Sequence, residues 1–425
     1  MLAIYSIILK DPLTRDSVFV KTTLINQPPT LFRQYKKKKI MSAAAARRRK
    51  QLAARKASEG EDSVSTQLKK LLATEEDMDE ASAYEALQLA QSQVRKKYQA
   101  GDFGGCTNLA YEGSLSLLKK HRVSVASQLM DLLVEVLRET HTADSDDWVN
   151  RLVEIHKAHE AATADQPTGI ETVRLHRLQR DWLLQCVSWS SDLGTIKYGS
   201  NRLQHVLAEQ CWKLSELEEE IDEVMDLQVH AIQHMALAEQ PDKIVEWLKT
   251  LPAPTEEETR AGHTCPPSMR ESLLTRCLVL LCAMENLRDA NKVLRGYIDT
   301  VEERKMKDLA DSYTKKDDGL APSHVIFGCM LLRICEKDER TGPLFSWLMR
   351  SFKREFDRMY SSTAVLGYTT KIGKSYFNIQ PPPSMMNMME NMMGMMGGGG
   401  GGGAPAMNPA MMQAAMAQMQ QGGMM

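Results

Sequence analysis

The chain is predicted to be all-α, a right-handed solenoid of tetratricopeptide-like antiparallel helix pairs. Three observations carry that prediction. The composition favours Leu, Ala, Met, Glu, Gln, Lys and Arg, while aromatic residues make up only 6%, a balance that suits helix over strand. Apolar residues recur at helical spacing in stretch after stretch between about Asp79 and Tyr376. Short breakers separate the stretches, so consecutive helices must turn back on one another. The 425 residues are enough for two to three ordinary domains or for one long repeat array.

The first helical stripe is Ala83, Ala86, Leu87, Ala90 and Val94, ended by Gly101-Asp-Phe-Gly-Gly105. The second runs from about Cys106 to Lys119 and the third from about Val123 to Arg138, with Ala126, Leu129, Met130, Leu133 and Leu137 on one stripe. Further helices are expected at about 145–161, 170–190, 200–215, 218–236, 241–249, 267–284, 287–304, 322–336, 342–359 and 362–378. Tyr98, Gly101-Asp102-Phe103, Cys106 and Leu109-Ala110 place small and apolar residues where a tetratricopeptide-like hairpin needs close packing. Two polar insertions interrupt the train. One is Pro252–Pro267; the other is Lys305–Pro322, where Asp318-Gly319 is a turn signal that would close a small β-hairpin.

The ends differ from the body. The formal net charge is −2, yet residues 1–58 hold 14 Lys or Arg against Asp11 and Asp16. The remainder is therefore an acidic body attached to a basic arm. Residues 1–75 read as a disordered arm, 76–380 as the solenoid, and 381–425 as a Pro-, Met- and Gly-rich tail with a short Met-rich helix at 385–396. Three readings of the arm stay open. Met41 could be the true start, the basic, acid-poor segment could be a transit peptide, or it could be a cytosolic tail. The tail helix is either a cap on the solenoid or an apolar client contact through Met385, Met389, Met392 and Met396. Methionine moulds to varied apolar partners.

Tests for chemistry return little. His156 and His159, and His230 and His234, have spacings that can share a helix face, but no Cys ligand set or His-Glu-x-x-His accompanies them. Gly397–Gly403 lacks the Lys-Ser/Thr of a phosphate loop. The eight cysteines include no C-x-x-C pair, and most lie in apolar runs such as Cys277-Leu-Val-Leu-Leu-Cys282, as reduced core thiols of a cytosolic protein do. Glu218-Glu219-Glu220 and Asp146-Asp147 read as solvated faces or helix N-termini. The basic arm lacks interleaved aromatics, so a nucleic-acid partner is not expected, and no apolar run reaches the length of a membrane span. The chain reads as a non-enzyme without a cofactor or metal.

The segment Trp182-Leu-Leu-Gln-Cys-Val-Ser-Trp189-Ser-Ser191, followed by Asn201-Arg202-Leu203-Gln204-His205, Leu207-Ala208 and Trp212-Lys213, resembles the fourth-subunit family of the Golgi-to-ER traffic complex. The run Ala110-Tyr111, Gly113, Leu115, Leu117-Leu118 and His121 is similar to that family's second and third helices, and Pro343–Phe356, Tyr376-Phe377 and Pro381-Pro382 follow its C-terminal order. The chain departs where Val187-Ser188 precede Trp189 in place of a basic residue, and at both ends. The resemblance implies a cytosolic scaffold that targets tail-anchored proteins to the ER membrane. Such a scaffold links a ubiquitin-like-domain partner, and a co-chaperone carrying tail-anchored clients, to an ArsA-like targeting ATPase. It implies an ATPase face near Tyr84, Arg95, Lys97, Tyr98 and Asp102, and a ubiquitin-like-partner face near Phe327, Leu331, Phe345, Leu348, Phe352 and Phe377. The rival readings are a holdase that grips transmembrane segments through the Met-rich tail, and a solenoid subunit of another assembly.

Overall fold

The computed structural model describes residues 67, 68, 70, 71, 78–164, 169–252, 268–299, 324–337, 339–360 and 363–379. The hairpin expected within 305–322, the first 66 residues, Cys265 and the whole tail lie outside the described residues. Contacts divide the chain into two units; every described residue belongs to one of them.

Among the described residues there are helices and no strand. In chain order they are α1 (Glu80–Ala100), α2 (Phe103–Lys119), α3 (Val123–Glu139), α4 (Asp146–Ala164), α5 (Ile170–Leu193), α6 (Asn201–Leu217) and α7 (Ile221–Leu237). They continue as α8 (Pro241–Thr250), α9 (Met269–Ala283), α10 (Leu287–Tyr297), α11 (His324–Cys335), α12 (Gly342–Ser351), α13 (Lys353–Arg358) and α14 (Thr363–Phe377). Each of α1 to α7 packs on the next helix, and α1 to α4 also pack on the helix two ahead, the layering of an α-solenoid.

Local chemistry sets the ends. Asp79 caps α1 by accepting the Ser82 N–H at 3.0 Å, and Gly101 closes it in the left-handed conformation at φ 81°, where a Cβ would be strained. Asn286 caps α10 by accepting the Asp289 N–H at 3.2 Å. Pro241 begins α8, where its missing N–H has no helical partner to lose.

Two boundaries depart from expectation. Gln67, Leu68, Lys70 and Leu71 are helical, and Leu68 is buried against the core. Ordered packing thus begins inside the segment expected to be unstructured. Lys120 Nζ fixes this piece by donating to Leu71 O at 3.0 Å. The single helix expected over 342–359 is two, broken at Phe352. Phe352 and Phe356, at and after the break, both reach Phe327, with ring centroids 5.0 and 5.1 Å away. Helix α10 runs to Tyr297 and continues as a π-turn through Ile298 and Asp299; residues 300–304 of the expected helix lie outside the described residues.

The core changes character along the chain. In α2 to α6 one stripe of each helix is buried. Helix α9 instead buries every residue from Ser272 to Ala283, as its all-round apolar run requires. It touches α7, α8, α10, α11 and α14.

Candidate interaction surfaces

The N-terminal candidates gather at the end of α1 and the turn into α2. Asp102 is the hinge of that turn. Its Oδ1 accepts the Gly105 N–H at 2.9 Å, capping α2, and its Oδ2 accepts from Lys97 Nζ at 2.8 Å. The bond from Lys97 comes first, and that from Gly105 second, in holding the Asp102 carboxyl below the usual carboxylate range. A Cβ on Gly105 would collide with both the Asp102 carboxylate and Lys97 Nζ, so this arrangement needs glycine there. Tyr98 stacks at a tilt on Phe103 with centroids 5.6 Å apart; burial raises its hydroxyl pKa. Tyr84, 42% exposed, stands further up α1 on a stripe with Gln88, Gln91, Ser92, Arg95, Lys96 and Gln99, none of which is buried. The structure therefore brings Lys97, Tyr98 and Asp102 into one cluster and sets Arg95 and Tyr84 on the adjoining open stripe.

The C-terminal candidates are placed differently. Phe327, Leu331, Phe345, Leu348, Phe352 and Phe377 are all buried. Phe345 stacks on Phe377 with centroids 4.9 Å apart, and Phe327 is the centre of the Phe352 and Phe356 contacts. These six side chains hold α11 to α14 together and do not themselves form a surface. The exposed apolar side chains of this region are Leu344, Trp347, Leu366 and Ile379, which sequence reasoning missed. The signal was available for two of them. With Phe345 and Leu348 turned inward, Leu344 and Trp347 fall on the outward side of the same helix. Met385, Met389, Met392 and Met396 lie outside the described residues.

The Trp-Ser-Ser turn proves architectural. Trp189 Nε1 donates to Thr142 O at 3.1 Å. Ser190 Oγ donates to Asp144 and accepts the Ser200 N–H at 2.7 Å. Ser191 Oγ donates to Lys197 O at 2.8 Å. Together they clamp the α3–α4 turn to the α5–α6 turn. Burial is the main influence raising the Asp144 carboxyl, with the Ser190 hydrogen bond opposing it.

Histidines form a second internal device. Gln179 Nε2 donates to His156 Nδ1 at 2.7 Å and to His156 O at 3.2 Å. Gln210 Nε2 repeats this on His176, at 3.0 Å to Nδ1 and 3.0 Å to O. One helix later the roles reverse, with His234 Nδ1 2.7 Å from Gln204 Oε1. Burial first, then nearby cations and histidines, pushes these rings towards neutrality, to about 4 for His156 and about 3 for His159 and His234. Of the pairs considered as zinc ligands, His156 and His234 are thus buried and engaged with amides, His159 is buried beside them, and His230 is half-buried. Among the described residues no group of three or more His, Cys, Asp or Glu is placed to hold a metal ion, and no helix is long and apolar enough to cross a membrane. Cys106, Cys186, Cys211, Cys277, Cys282 and Cys335 are free and buried.

A family model described as Golgi to ER traffic protein 4 matches residues 100–396. A crystal structure of C. therm. Get4 superposes with a TM-score of 0.48 at 18% identity, covering 81% of this chain and 98% of that one. No curated protein matches the chain.

Proposed function

The chain belongs to the Golgi to ER traffic protein 4 family, and from that premise we propose that it is an adaptor that links a ubiquitin-like-domain partner and its client-carrying co-chaperone to an ArsA-like targeting ATPase. As a member of that family it is a scaffold of Golgi-to-ER traffic. The finer reading is insertion of tail-anchored proteins into the ER membrane from the cytosol, without catalysis by this chain. The observation that carries it is the family match across most of the solenoid, 100–396. A solenoid suits the task because separated stretches of one rigid array can hold two partners at once, raising the local concentration of each for the other.

The charged N-terminal cluster supports the ATPase assignment. Exposed charges speed encounter and make it salt-sensitive. Lys97 and Asp102 are poor isolated probes, because they pair with each other and Asp102 caps α2. Arg95 and Tyr84 lie on the open stripe and are the better ones. For the second partner, the buried aromatics Phe327, Phe345 and Phe377 would act as the support, with contact made by the exposed Leu366 and Ile379 on and just after α14.

The test is capture of both partners by the full chain. Arg95→Glu with Tyr84→Ala should lower ATPase capture about tenfold or more, judged by the usual worth of interface charges and aromatics, and leave the ubiquitin-like-domain partner bound. Unchanged ATPase capture, or loss of both partners with helicity intact, would overturn the two-face reading.

A further inference from the structure

We propose that the outward stripe of α12 and α13 is a docking surface for an anionic membrane face, with Trp347 seated at headgroup level. Helix α12 turns Phe345 and Leu348 into the core, and its other side carries Leu344 at 55% and Trp347 at 48% exposure. One turn further on stands Arg350, followed by Lys353 and Arg354 around the corner into α13, all exposed. Arg350 Nε reaches only the Ser346 carbonyl, at 3.3 Å. None of these three cations has a carboxylate partner among the described residues. Elsewhere on this protein exposed cations are commonly paired, as in Lys97–Asp102, Arg174–Glu171, Arg177–Glu218 and Lys292–Asp242. The nearby acids do not cancel the stripe. Glu355 is buried, which leaves Asp357 and Glu339 exposed at its ends.

Charge and shape together choose the occupant. An indole with its N–H, a leucine one turn away and a ring of cations beyond them match the layers of a membrane surface in order: acyl boundary, interface, anionic headgroups. An acidic peptide would satisfy the cations, but burying Leu344 and Trp347 would need walls on both sides, whereas lipid moulds to an outward helix side. The contact is peripheral and reversible, since two apolar side chains and three cations fall far short of the anchoring of a spanning helix. The proposal uses none of the partner assignments made above.

The test is flotation of the full chain with vesicles of phosphatidylcholine alone and with about a third phosphatidylserine, enough to set a negative surface potential. The chain should float with the anionic vesicles only, and release as salt rises. The basic arm, residues 1–58, can add to that binding, so the reading lies in the variants. Arg350→Glu with Arg354→Glu should cut the bound fraction about tenfold or more, and Trp347→Ala or Leu344→Ser about threefold or more, with circular dichroism and melting unchanged. The proposal is overturned if the wild type stays with the protein-only fraction, if it floats equally on neutral vesicles, or if the variants float as the wild type does. Loss of a ubiquitin-like-domain partner with flotation intact would assign the stripe to a protein and overturn it as well.

Discussion

In the first seven helices apolar stripes meet in layers, and α1 to α6 each leave one side to water. From α9 onward the helices gather round one of their own number, with α9 buried along Ser272–Ala283 and α10, α11 and α14 against it. The polar interior differs to match. The layered half holds the buried histidines His156, His159, His176 and His234, while the described C-terminal half holds His324, whose Nδ1 lies 2.8 Å from Thr275 Oγ1. The clustered half relies instead on aromatic contacts. Repetition therefore accommodates the imidazoles of His156, His176 and His234, each of which meets an amide from an adjoining layer, whereas the hub packs rings against one another. The surfaces follow the same division. Both halves expose ion pairs, such as Arg174–Glu171 and Lys292–Asp242, and apolar side chains; what sets Leu344 and Trp347 apart is a run of cations beside them with no carboxylate partner among the described residues.

Acid should separate the two halves most strongly. In the unfolded chain a histidine takes its proton near pH 6.5, while the folded rings resist until about 4 for His156 and His324 and about 3 for His159 and His234. Stability is therefore full above about pH 6.5 and falls as the pH drops towards those folded values, by about 1.4 kcal/mol per pH unit for each such ring. Urea midpoints at pH 7 and pH 5, with hydrogen exchange mapping which helices open, should find α4 to α7 opening before α9 to α14. Opening in the reverse order would break the comparison.

Cutting the hub comes next. Phe327→Ala should cost about 3–5 kcal/mol, because the residue is fully enclosed by Phe352, Phe356 and its neighbours. Trp347→Ala, one helix away on the open side, should stay within about 0.5 kcal/mol. Chemical denaturation of the two variants measures the contrast. In the layered half, Trp189→Phe keeps the ring but leaves Thr142 O without its donor, at a cost of about 1–3 kcal/mol on the same assay. A smaller effect than either core change is expected of Gly105→Ala. It displaces the Asp102 cap and the Lys97 pair for about 1 kcal/mol, and ATPase capture should weaken if that cluster is the contact. Normal capture by a folded Gly105→Ala chain would move the contact up α1, towards Arg95 and Tyr84.

Much of this was legible in the sequence. The stripe Ala83, Ala86, Leu87, Ala90 and Val94 is buried as its spacing requires, and the breakers at Gly101 and Pro241 fall at helix ends. The acidic and basic residues of the α1–α2 turn were legible as a cluster, because Lys97, Tyr98 and Asp102 are neighbours along the chain. The C-terminal surface was not. Phe327, Phe345 and Phe377 look equally fit for core or interface on a list of residues, and only their mutual contacts decide. The break at Phe352 was hidden as well, since no proline or glycine marks it.

Local periodicity and turn chemistry, which the sequence carries within a few residues, determined that the chain is helical, where most helices start and stop, and which side of each is apolar. Tertiary structure alone decided which apolar sides meet one another, that α9 is enclosed, that Trp189 and Ser190 bind two turns together, and that Leu344 and Trp347 are left facing outward. Those outcomes depend on contacts between residues tens of positions apart, and a helix's own period says which side is apolar without saying what will cover it.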